Sequence, residues 1–137
     1  MKTLIKDVTA RALIDCKGKP LLEVDVITEE GVMGRAASPS GISAGEHEAF
    51  VLRDGDKNWY DGNGVFNAVD MVKNVVAPKI KGMDALDQKA LDEALITLDG
   101  TKNKSKLGGN VTYSTSLAVM RAACSTLHVS QYRYLNQ

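Results

Sequence analysis

The sequence predicts an α+β domain, with a three-stranded antiparallel meander followed by helices packed on one face of the sheet. Three observations carry this. As far as residue 38 the apolar side chains recur at every second position between turns that contain glycine or proline. Beyond residue 64 they recur at helical spacings, and strand and helix patterns do not alternate, which argues against a parallel sheet.

A chain of 137 residues typically buries about two thirds of its unfolded surface, so residues 1–137 are expected to form one domain around one core. Residues 4–14 mix apolar and charged side chains in a strand-compatible way, and CKGKP after them supplies Gly18 and Pro20 for a reversal. Leu22, Val24 and Val26 alternate with Glu23, Asp25 and Ile27, the pattern of a strand with one covered face. Glu29, Glu30 and Gly31 form the next turn, and residues 32–37 the third strand.

A helix start is expected at the acidic residues after SPSGISAG, where Ser43-x-x-Glu46 has the form of a capping box. Val65, Ala68, Val69, Val72, Val75 and Val76 then fall at helical spacings, with Pro78 as the expected stop. A second helix is expected over 85–98, with Leu86, Leu91, Leu95 and Leu98 on one face and Gly100 behind it. A third, over 110–127, carries Leu117, Ala118, Met120, Ala122 and Cys124.

Composition excludes several functions. With 17 basic and 17 acidic side chains the formal net charge is zero, so neither nucleic acid nor an anionic membrane is an expected partner. The N-terminal MKTLIKDVTARAL is too charged for a signal sequence, and no uncharged apolar run is long enough to cross a bilayer; a cytoplasmic location is expected. Cys16 and Cys124 are expected to be reduced thiols.

Among motifs, RDGDKNWYDGNG fails as a calcium loop because Trp59 stands where the loop needs glycine and Val65 where it needs a bidentate glutamate. The Gly62-Asn63-Gly64 turn lacks the Lys-Ser/Thr of a phosphate loop, and His47 and His128 lie far apart without a nucleophile in context. The remaining candidate is the loop bearing Ser40, Gly41, Ser43, Gly45 and His47, whose glycines loosen the backbone on both sides of Ser43.

Three stretches, VTARALIDCKGKPLLEVDV, GRAASPSGISAGEHEAFVLRDGDK, and LDGTKNKSKLGGN ahead of SLAV, stand in an order and at distances that closely resemble the N-terminal domain of enolases. The resemblance covers nearly the whole chain. It implies an α+β capping domain that precedes a (β/α) barrel in a magnesium-dependent lyase converting 2-phosphoglycerate to phosphoenolpyruvate. The barrel, which supplies the lysine base, the glutamate acid and the metal carboxylates, is absent from this chain, and YRYLNQ stands where the link into it begins. The chain alone is therefore expected to be inactive and to need no cofactor.

By the same resemblance PSGIS is the catalytic lid, with Ser43 a ligand of the second magnesium when barrel and substrate are present. Arg11 and Glu23 match residues that reach across the family's dimer, so a homo-oligomer is an expected partner. The chain departs from the family pattern at Ile42 and Ala44 in the loop and at Cys16, Lys17 and Lys19 in the first turn. Residues 111–115 replace an apolar helix start with VTYST, which suggests hydroxyls facing water. That change raises an alternative: a free-standing, non-catalytic relative that binds a partner or assembles with itself.

Overall fold

The computed structural model describes residues 2–41 and 45–136; Ile42, Ser43 and Ala44 lie outside them. Three strands, β1 (Ile5–Ile14), β2 (Pro20–Thr28) and β3 (Met33–Ala37), form an antiparallel sheet in the order β1-β2-β3. The helices follow in sequence, as expected for an α+β domain.

Alternation places Leu22, Val24 and Val26 on the covered face of β2, each fully buried. In β1 the pairing shifts between Ile5 and Asp7, and this bulge allows Ile5 to point inward together with Val8 and Ala10 despite the change of parity. The outer edge of β1 is paired: Ile5 N–H donates to Met83 C=O and Gly82 N–H to Ile5 C=O, both at 2.8 Å. β3 is the opposite edge.

The first helical region differs from expectation at Pro78. α1 (Phe66–Met71) runs into a π-turn (Val72–Val76) and on into α2 (Ala77–Ile80), so Pro78 lies within the helical run and does not end it. A proline ring clashes with the carbonyl four residues back, here Asn74. The π-turn supplies the wider backbone path there, with Ala77 N–H donating to Val72 C=O five residues back. Lys81, with ψ 133°, ends the run.

No helix begins at Glu46, and residues 45–52 contain none, so the expected capping box has nothing to cap. The start of α1 is capped from a distance: Asp54 accepts from Phe66 N–H at 3.0 Å and Asn67 N–H at 2.7 Å. A Cβ on Gly64 would lie 2.3 Å from Asp54 Oδ2, so glycine is required for that approach. Between these residues Tyr60 (φ 48°) and Asp61 (φ 51°) take left-handed conformations in a one-turn 3-10 helix. Trp59 stacks edge-on against Tyr60 at 5.3 Å and lies 5.8 Å from Phe66, all three half-exposed.

α3 (Gln88–Asp99) starts under an Asp87 cap on Ala90 N–H and ends on Gly100 in the left-handed conformation. Asp99 folds the next loop back by accepting from Thr101 N–H at 2.9 Å and Leu107 N–H at 2.8 Å. α4 (Gly109–Leu127) crosses the covered faces of β2 and β3, and a short α5 (Gln131–Leu135), not anticipated from the sequence, follows it.

The polar start of α4 does not face water. Val111, Ser114 and Thr115 are fully buried, while Tyr113 is half-exposed. The Ser114 and Thr115 hydroxyls are enclosed with no hydrogen-bond partner among the described residues. Helix phase explains the outcome: 111, 114, 115 and 118 share one face, and Ala118 commits that face to the core.

α4 can lie this close to the sheet because β3 offers no side chain at Gly34, where a Cβ would sit 1.9 Å from Ala118 O and 2.4 Å from Ala122 N. We expect Gly34→Ala to destabilise the fold by about 3 kcal/mol, since rigid backbone must retreat. Gly31→Ala meets nothing within 4 Å, and its positive φ alone should cost about 1–2 kcal/mol. Chemical denaturation of both variants checks the order; equal losses would mean that α4 is not in contact as described.

Candidate functional site

The loop singled out from the sequence is tied down on both sides of residues 42–44. On the leading side, Ser38 and Ser40 are buried, and the Ser40 hydroxyl is hydrogen-bonded to the Asp15 carboxylate. That bond, with the Lys19 and Lys17 amides donating to Asp15 at 2.8 Å, holds Asp15 below the usual carboxylate range. Gly41 has φ 68°, a left-handed conformation that suits glycine.

Arg53 joins three segments at this point, the start of β2 and the stretches at Ser40 and Asn63. Its guanidinium donates to the carbonyls of Pro20 at 3.0 Å and Asn63 at 2.7 Å through Nη1, and to that of Ser40 through Nη2. Burial lowers its proton affinity, and the Asp15 and Asp54 carboxylates act in the opposite sense. Only a fixed planar fork of donors can satisfy three carbonyls from different segments in this way.

On the trailing side, Gly45 N–H donates to the Glu48 carboxylate. Residues 50–52 then run along the start of α4 like a strand. Phe50 N–H donates to Asn103 C=O at 2.8 Å and Gly109 N–H to Phe50 C=O at 2.6 Å. The Asn110 side chain completes the pairing: its Oδ1 accepts from Leu52 N–H and its Nδ2 donates to Leu52 C=O, both at 3.0 Å. Gly108 and Gly109 are needed for this contact, because a Cβ on either would lie 2.6–2.7 Å from Leu52 or Ala49 side-chain carbon. A cavity of about 270 Å³ lies between the two flanks, lined by Pro39, Gly41, Glu48, Val51, Asn110 and Tyr113 among others.

Of the predicted site residues, Ser40, Gly41 and Gly45 are placed at this junction, whereas His47 is exposed on the turn beyond it. Ser43 lies outside the described residues. Among the described residues no group of three or more His, Cys, Asp or Glu side chains could hold a metal ion, so they do not by themselves fit magnesium. Arg53 and Asn110 were not singled out from the sequence. Their signal is faint: Asn110 stands beside two glycines, which marks a close backbone approach, while Arg53 resembles any surface arginine.

Arg11 and Glu23 meet on the opposite, open face of the sheet. Arg11 Nη1 is 2.5 Å from Glu23 Oε1, and Nη2 is 2.5 Å from Asp25 Oδ2. Arg35 closes the group from β3, donating to Asp25 at 2.7 and 2.8 Å. Asp25 is only 4% exposed, and the bonds from Arg35 first and Arg11 next outweigh its burial and hold it at about 2. Period-two spacing places Glu23 and Asp25 on one face, the signal from which this cluster could be read.

Over residues 5–135 the sequence matches the family described as Enolase, N-terminal domain, and the chain belongs to that family. Among the described residues no helix is long and apolar enough to cross a membrane.

Two outcomes are expected. Arg53→Lys replaces the fork with a point charge, and should cost about 2 kcal/mol through unpaired carbonyls. It should also speed hydrogen exchange at Asp54 and Gly55, which pair with Gly64 and Gly62, more than at Leu91 in the core. Asp25 has a folded pKa of about 2 against 3.8 unfolded, so its contribution is complete above pH 3.8 and is lost as pH falls towards 2. Asp25→Asn should therefore lower neutral-pH stability by about 2 kcal/mol and flatten the acid limb of a stability–pH curve. An unchanged acid limb would show that the carboxylate is not held as described.

Proposed function

We propose that the chain is the lid-bearing N-terminal domain of an enolase that dehydrates 2-phosphoglycerate to phosphoenolpyruvate in the cytoplasm. The observation that carries this reading is the anchoring on both sides of residues 42–44 within the family match: Arg53 and Asp15 hold Ser40 ahead of them, and Glu48 and Asn110 hold residues 45–52 after them. Fixed flanks suit a short segment that presents an oxygen ligand, and we assign that role to Ser43. The Arg11–Glu23 pair on the open sheet face is assigned to contacts between subunits.

Dehydration of this kind needs a barrier reduction on the order of 8–23 kcal/mol from positioned acid, base and metal charge. In this reading the acid, the base and the remaining magnesium ligands come from outside this domain, and Ser43 is the one ligand it supplies. The alternative of a free-standing binding module drew on hydroxyls facing water at 111–115. With Ser114 and Thr115 buried, no specific observation favours it.

The test is to fuse this domain to the barrel of a characterised enolase in place of that enzyme's own N-terminal domain. Phosphoenolpyruvate formation is then followed by its ultraviolet absorbance with magnesium present. The fusion should turn over, Ser43→Ala in it should lower kcat, and the domain alone should show none. A folded fusion without activity, or turnover by the domain alone that vanishes in Ser43→Ala, overturns the proposal.

A further inference from the structure

An open cleft of about 970 Å³ lies between the outer edge of β3 and the corner joining α4 to α5, and it shares no lining residue with the cavity beside the loop above. Its charged and titratable lining side chains are Arg35, Arg121, Cys124, His128 and Tyr132, and none of its lining residues is acidic. In a chain of zero net charge, two arginines facing a concave surface without a carboxylate are a local exception.

The donors are only partly used. Arg121 Nη1 donates to Arg35 C=O at 2.6 Å, which orients the guanidinium at the open edge of the sheet. Its Nε is enclosed without a hydrogen-bond partner among the described residues, so an anion in the cleft meets the outer nitrogens of the guanidinium and not Nε. Ser130 stands at the start of α5, yet its hydroxyl makes no capping bond there. Ser125 lines the same wall. Arg35 is engaged with Asp25 on the sheet's open face, so Arg121 is the principal cation.

We propose that this cleft binds a phosphate group. A tetrahedral oxyanion accepts from a guanidinium and from hydroxyls at once, which is the donor set that Arg121, Ser125 and Ser130 present. Water does not neutralise the guanidinium, and no neighbouring carboxylate lines the cleft to do so. The group can arrive as free phosphate or as a phosphomonoester, since the same donors meet the same oxygens.

The test is a nuclear magnetic resonance titration of the isotope-labelled chain with inorganic phosphate, methyl phosphate and acetate at constant ionic strength. Saturable shifts confined to Arg121, Ser125 and residues 128–131 are expected, with acetate weaker. Binding of methyl phosphate assigns the site to phosphomonoesters, and its failure beside phosphate binding assigns it to the free ion. Gln131→Glu introduces a carboxylate at an exposed first-turn position that favours acids. It should weaken binding by about fivefold or more through like-charge repulsion, with the melting temperature held or raised. Arg121→Met should abolish binding, and its melting curve shows whether it still folds. Shifts that stay linear or centre on the lysines at 102–106, acetate binding as tight as phosphate, or unchanged affinity in Gln131→Glu would each overturn the proposal.

Discussion

The contact between the backbone of α4 and the vacant side-chain position at Gly34 sets the geometry that the other elements adopt. A helix usually stands off a sheet by the thickness of two side chains. Here Ala118 and Ala122 lie directly on β3, and Val24, Ala36 and Val119 are buried together in the core that the sheet and α4 share. Because α4 is pinned there, its first turn lies at a fixed distance from the sheet edge. The extended segment at 50–52 and the cap of α1 are then placed against it.

Polar pairing finishes what this packing begins. Asn110 acts as a missing strand for Leu52, and Arg53 acts as a shared knot for the start of β2 and two irregular segments, at Ser40 and at Asn63. Buried carbonyls and amides in irregular segments cost free energy unless paired, and side chains with several fixed donors or acceptors meet that need in few residues. The electrostatics divide by face. The open sheet face carries a closed group of two arginines and two carboxylates, while the cleft at the end of α4 leaves its cation uncompensated.

Strands and the longer helices were legible because periodicity records burial directly: Leu22, Val24 and Val26 for β2, Leu91 and Leu95 for α3. Three features were not. Pro78 reads as a helix stop because the pattern of apolar residues carries no information about a π-turn upstream. Ser114 and Thr115 read as solvent-facing by type, although position on the helix face decides burial, and the two disagree here. Ser43-x-x-Glu46 matches a cap, yet a capping pattern needs a helix behind it, and the residues after it extend to pair with α4 instead. At the candidate site, the loop's location and small residues were readable, whereas the long-range partners Arg53, Asn110 and Asp25 depend on which distant segments fold together.

The aromatic turn at 59–66 has an optical consequence. Trp59 is the chain's single tryptophan, and it sits outside the buried core, half in solvent and stacked on Tyr60 and Phe66, themselves half-exposed. Its emission already belongs to a water-contacting indole in the native protein, so loss of the core changes its surroundings little. Intrinsic fluorescence therefore registers rearrangement of one strained surface turn. Far-ultraviolet ellipticity, dominated by the long α4, registers the cooperative unit, and the two signals have physical reason to part company.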